Sequence, residues 1–149
     1  MKVTERVNNI NDGLTKTFGI KYISTDDPNT LEARMTCTEA TSQPWGYMSG
    51  GAILGLAENL AGIASMCISP DRIVLGINIC ANHITSIYKG EEAIATATLL
   101  RKGNTLHNWR VEIRNSKGTL VSEIQVTNYT IKEKRKDVTD SVSPTSSNV

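Results

Sequence analysis

One carboxylate interrupts a long apolar run. Between Ala52 and Ile68 the chain reads Ala-Ile-Leu-Gly-Leu-Ala-Glu-Asn-Leu-Ala-Gly-Ile-Ala-Ser-Met-Cys-Ile, with Glu58 in the middle. An ionised carboxylate without partners is costly in such surroundings, so Glu58 calls for a chemical reason. A partly desolvated carboxylate gains basicity, which suits taking a proton from water. Directly before the run stands Ser49-Gly50-Gly51. Two glycines let a chain turn tightly into a helix, with Ser49 as the N-cap. A helix start carries unpaired N–H groups and a partial positive charge. Such donors stabilise negative charge developing on a carbonyl oxygen. Glu58 lies seven residues past Gly51, about two turns on and within roughly 40° of the same face. One stretch therefore offers a hydrogen-bond donor and a base.

Other chemistries fit less well. Gly46-Tyr-Met-Ser49-Gly50 misses the serine-hydrolase elbow Gly-x-Ser-x-Gly by one residue, and no strand-turn-helix context precedes it. His83 and His107 are isolated and read as hydrogen-bonded strand residues. Cys37, Cys67 and Cys80 are widely separated with apolar flanks. They read as buried small hydrophobes, and no Cys/His/Asp spacing fits a metal site. No metal or redox cofactor is expected. Trp45 and Tyr47 flank the loop before the helix and suit either an acyl pocket or packing at a subunit seam. Lys89, Arg101 and Lys102 fall at turns, where they are solvated charges or contacts for a phosphate.

The elements that position these residues follow from periodicity. Lys2–Leu14 has Val3, Val7, Ile10 and Leu14 on one helical face, with Gly13 as a terminator. Phe18–Ser24 and Thr30–Thr38 read as a hairpin, the second strand burying Leu31, Ala33, Met35 and Cys37. The long helix runs to Ser69-Pro70, a stop signal. An apolar strand from Ile73 to Ile87 follows, then strands over 93–100, 109–114 and 120–131, separated by turns at Lys89-Gly90-Glu91, Lys102-Gly103-Asn104 and Asn115–Gly118. Strands in runs, with helices segregated, indicate an α+β fold. A helix apolar on every side needs a sheet that curls around it. The expectation is a curved antiparallel sheet of about six strands wrapped around one long central helix.

The chain has 149 residues, the size of one domain. That domain is expected over 1–131, with 132–149 as a mobile tail rich in Ser, Thr and Asp. Net charge is +1 and only one Phe is present, so nothing favours nucleic acid or an anionic membrane as partner. The N-terminus lacks an apolar secretory region, and a membrane span normally needs about 20 mostly apolar residues. Ala52–Ile68 is slightly short and contains Glu58 and Asn59, so it reads as a core helix. A cytoplasmic location is expected.

The element order, with Gln43-Pro-x-Gly46-x-x-Ser49-Gly50-Gly51-Ala52, Ala57-Glu58 and Gly76-Ile-Asn-x-x-Ala-Asn-His83, resembles the hotdog-fold acyl-CoA thioesterases. The branch it is most similar to holds the phenylacetate-operon type and the 1,4-dihydroxy-2-naphthoyl-CoA and 4-hydroxybenzoyl-CoA hydrolases. The resemblance covers roughly 18–131. It implies a hotdog fold, homodimers or homotetramers with sites at the dimer interface, and an acyl-CoA substrate whose CoA is part of the substrate, not a cofactor. Gly50 would donate its N–H to the thioester oxygen, Glu58 would be nucleophile or general base, and Gln43 and Ser49 would orient substrate and water. Gly51 and Gly62 would line the site, and Asn82, His83, Lys102, Gly103 and Asn104 would lie near the pantetheine and nucleotide. Members usually carry His where Ser49 stands, and Ser or Thr where Gly62 stands. Two further readings are a hotdog hydratase or dehydratase, and an acyl-CoA-binding protein with weak or lost activity.

Overall fold

The computed structural model describes residues 7–11 and 13–133. In chain order it contains α1 (Gly13–Phe18), β1 (Lys21–Ser24), β2 (Thr30–Thr36), a 3-10 turn (Glu39–Thr41), α2 (Gly50–Ile68), β3 (Arg72–His83), β4 (Glu92–Lys102), β5 (Leu106–Arg114) and β6 (Leu120–Lys132). The strands form one six-stranded sheet in the order β1-β2-β4-β5-β6-β3, antiparallel at every pairing. α2 packs against β2 through β6. This is the α+β hotdog arrangement expected from the sequence.

Alternation places the core. Leu31, Ala33 and Met35 on β2, Ala93, Ala95 and Ala97 on β4, Trp109, Val111 and Ile113 on β5, and Ile124 and Val126 on β6 all point inward and are buried. α2 meets them with Ala52, Ile53, Leu56, Ala57, Leu60, Ala61, Ala64 and Ser65. These recur at three and four, a single helical stripe. Alanines on both α2 and β4 bring helix and sheet close together, as tight interior packing requires.

A polar clamp fastens the second half of α2. Ser65 Oγ accepts from Trp109 Nε1 at 2.8 Å and from Asn128 Nδ2 at 2.9 Å. Asn128 Nδ2 also donates to the Ala61 carbonyl at 3.0 Å. His107 lies opposite Asn128 in the ladder and is buried. Burial pushes its imidazole below the usual histidine range, and Lys102 and Arg72 act in the same direction.

Four expectations change. α2 is not enclosed: Met66 is 49% exposed, and Glu58 is exposed as well. Counting Gly and Ala as apolar widened the apparent stripe, while the helix buries only one side. The apolar strand expected from Ile73 to Ile87 ends at His83, and it is an edge strand with Ile73, Leu75 and Ile77 exposed. Cys37 is buried, but Cys67 is only half-buried and Cys80 is exposed. Finally, Gly13 opens a helix instead of ending one, and Phe18 closes that helix, so the strand assigned to 18–24 begins at Lys21. The rest of the expected first helix (1–6 and 12) and the tail beyond 133 lie outside the described residues. α2 is long and apolar enough to cross a membrane by length and composition, but its buried stripe lies on the sheet.

Candidate active site

The donor half of the site is built from the loop before α2. Neighbouring backbone pins that loop: Cys37 N–H donates to the Glu91 carbonyl at 2.8 Å, Met48 N–H to Ile87 at 2.7 Å and Lys89 N–H to Gly46 at 2.8 Å. Tyr47 is held against Tyr88, their ring centroids 4.9 Å apart, whereas Trp45 is 79% exposed. The Gln43 side-chain oxygen accepts from the Trp45 N–H. Its amide nitrogen is thereby left as the donating end.

Ser49 occupies the N-cap position of α2 but its hydroxyl makes no capping bond. The cap is made through its backbone, whose carbonyl accepts from Ile53 N–H at 3.1 Å. The amides of Gly50, Gly51 and Ala52 precede the first intrahelical donor and so point outward. The imidazole of His83 rests on this helix start: a β-carbon at residue 50 would stand 3.2 Å from His83 Nε2. His83 is held from behind by Ser122, with Nδ1 and Oγ 2.9 Å apart.

The Glu58 carboxylate, the expected base or nucleophile, lies elsewhere in the same chain. Glu58 lays its carboxylate over Gly76 of β3, and a β-carbon at residue 76 would overlap Glu58 Oε1. β3 carries a bulge here. Gly76 pairs with Asn128 and Asn78 with Thr127, so Ile77 is an extra residue. Bulges re-aim side chains and bend strands beside functional sites. Gly62, one turn after Glu58, has open space where a side chain would stand.

These halves do not meet within one chain. Gly50 and Glu58 are about 12 Å apart along the helix axis at 1.5 Å per residue. Their seats on β3, His83 and Gly76, are about 23 Å apart at 3.3 Å per residue. Gln43, Ser49, Gly50, Gly51 and His83 therefore cluster at the start of α2, with Asn82 beside them at the end of β3. Glu58 and Gly62 form a second cluster. Lys102, Gly103 and Asn104 lie at the other end of α2, where Lys102 Nζ donates to the Ile68 carbonyl at 2.9 Å. Gly103 N–H donates to Leu106 at 2.8 Å to close the turn. Among the described residues no group of three or more His, Cys, Asp or Glu is placed to hold a metal.

Two participants escaped the sequence reading. Ser122 carries no sequence signal, being a small residue on the inward face of an alternating strand. Gly76 did carry one: a glycine inside a strand marks a bulge or a close approach.

Residues 45–122 match the thioesterase superfamily. The chain is 35% identical over 125 residues to the 1,4-dihydroxy-2-naphthoyl-CoA hydrolase of Listeria monocytogenes, covering 83% of this chain and 99% of that protein. It is 34% identical to the enzyme of the same name from Escherichia coli, covering 66% and 73% of the two chains. Among solved structures, a thioesterase from Haemophilus influenzae superposes with a TM-score of 0.80 at 28% identity, covering 89% of this chain and 92% of its own.

Proposed function

Because the chain belongs to the thioesterase superfamily, we propose that it hydrolyses an acyl-CoA thioester, with an aromatic acyl group, at a site shared between two copies of the chain. The observation that carries this reading is the separation of donor and base. A reacting carbonyl must lie roughly 3 Å from both the attacking group and the oxyanion donors. About 12 Å of helix stands between Gly50 and Glu58, too far for one carbonyl. A second copy related by a two-fold axis brings each Glu58 to the other chain's Gly50, and does so twice. The exposed apolar residues of β3 and the face of α2 bearing Glu58 and Met66 supply a surface for that pairing.

The chemistry then follows. The thioester carbonyl accepts from the Gly50 N–H, with the Gln43 amide and Ser49 hydroxyl orienting substrate and water. Glu58 of the other copy takes a proton from water as the oxygen bonds to the carbonyl carbon, or attacks that carbon itself. Negative charge moves onto the carbonyl oxygen, where preorganised donors are worth roughly 3–4 kcal/mol. When the intermediate collapses, the C–S bond breaks and CoA leaves as thiolate, to be protonated. Where Glu58 itself attacks, the acyl group is left as an anhydride on Glu58, and water then cleaves it to the free acid and restores the carboxylate. The aromatic preference rests on the naphthoyl-CoA hydrolases among the relatives.

The test is thiol release by the full chain and its Glu58→Ala variant, over a panel including acetyl-CoA, hexanoyl-CoA, palmitoyl-CoA and benzoyl-CoA. Release by the wild type, fastest with benzoyl-CoA, and a loss of at least about 10²-fold in the variant are expected, since Glu58 is the base or the nucleophile. A silent wild type, or a variant that matches it, defeats the reading.

A further inference from the structure

We propose that His83 is a second catalytic donor to the thioester oxygen and that Ser122 is the positioning residue that aims it. The inference rests on the hydrolase reading and gives a role at the thioester oxygen to a side chain that the family resemblance puts near the pantetheine and nucleotide. Three observations converge. First, His83 Nε2 is packed against Gly50, so that a β-carbon there would be 3.2 Å away. The ring therefore borders the space in front of the first amides of α2. Second, the ring's side-chain hydrogen bond among the described residues is at Nδ1, to Ser122 Oγ at 2.9 Å. Nε2 is left facing the helix start. Third, Ser122 is fully buried on the inner face of β6, so solvent does not compete for its hydroxyl. When that hydroxyl donates to Nδ1, the ring proton sits on Nε2. Two converging donors, the Gly50 N–H and the His83 Nε2–H, then address one oxygen.

The arrangement has a geometric logic. β3 and β6 pair residue for residue at this end, His83 opposite Ser122. The cross-strand neighbour thus fixes the ring, and the strand end delivers it to the helix start. Backbone amides at a helix N-terminus have fixed directions. A side-chain donor from a different element adds a hydrogen bond from another angle, which tightens orientation as the carbonyl becomes tetrahedral.

Two measurements on the full-length protein test this. With benzoyl-CoA as probe, His83→Ala should lower kcat about 10²-fold, the effect of removing one oxyanion donor, while KM stays within about threefold because the interaction strengthens in the transition state. His83→Gln, which keeps a donating nitrogen, should recover part of the loss. Nitrogen-15 NMR of the histidine ring should show the Nε2–H tautomer in the wild type and a mixture of tautomers in Ser122→Ala, whose kcat should fall about fivefold to tenfold. A merely structural serine would not move the tautomer. A His83→Ala variant with unchanged kcat, a loss confined to KM, or an Nδ1–H tautomer in the wild type would each overturn the proposal while leaving hydrolysis intact. A wild type that releases no thiol from any of the acyl-CoA panel overturns the hydrolase reading and this proposal with it.

Discussion

Gly76 decides where the carboxylate of Glu58 can rest. Any β-carbon at residue 76 overlaps Glu58 Oε1, so the smallest possible side-chain addition must push the acid off its seat. Displacing a reacting group by about 1 Å commonly costs about 10²-fold in rate. Gly76→Ala should therefore lower kcat by about that factor. It should leave the melting temperature level or slightly raised, because alanine in a strand loses less backbone entropy than glycine, by roughly 0.5–1 kcal/mol. Kinetics and thermal unfolding on the same preparation separate the two effects. An unchanged kcat would show that the seat is irrelevant. At this scale the sequence was legible for residue types and only partly for partners. Glu58 among apolar residues and the glycine pair before them announced chemistry. That Gly76 meets Glu58, or that Ser122 meets His83, depends on how α2 is registered on β3 and how β3 is registered on β6. Both are long-range facts.

α2 is held by a few directional bonds as well as by its apolar stripe. Ser65 Oγ accepts from both Trp109 and Asn128, all three being buried. Ser65→Ala strands the buried Trp109 donor at about 1–3 kcal/mol and takes one of two acceptors from Asn128 Nδ2, which keeps the Ala61 carbonyl, at about 0.5–1.5 kcal/mol, against a helix-propensity gain of roughly 0.5 kcal/mol for alanine. A net loss of about 2–3 kcal/mol in urea unfolding is expected. A variant as stable as the wild type would mean that the clamp is dispensable or that water replaces the hydroxyl. The strands of this fold were readable because Leu31, Ala33 and Met35, and likewise Trp109, Val111 and Ile113, alternate inward with polar neighbours. The helix was readable in extent but not in orientation. Its glycines and alanines look apolar on all faces, so composition hid which side meets the sheet. The place of β3 was not readable either: its apolar run is continuous, yet the strand sits at an edge.

The whole molecule is where the chain's chemistry becomes complete or fails to. If each site takes Glu58 from one copy and Gln43 from the other, two inactive variants can repair one another. Glu58→Ala mixed with Gln43→Ala, unfolded and refolded together in equal amounts, should recover about a quarter of wild-type activity, since random pairing makes half the dimers mixed and each carries one intact site of two. Neither variant alone should approach that value. Mixed preparations no more active than the sum of the separate ones would place both residues in one copy's site. Composition could not reveal such sharing. The proposal of sharing rests on the distance along one helix, which the spacing of Gly50 and Glu58 sets once that stretch is helical.

That distance has a kinetic corollary. If the site is shared between two copies as proposed, a lone chain would hold only separated halves, and at low concentration the number of working sites would follow the square of the protein concentration and not its first power. On that reading a freshly made chain would be silent until it met a second copy. Below the dissociation constant of the pair, diluting the protein would lower its turnover per chain even with every residue correctly folded. The open edge of β3 would then act as a threshold on chemistry, because on this reading the carboxylate has no thioester to act on until the other copy's helix start is in place.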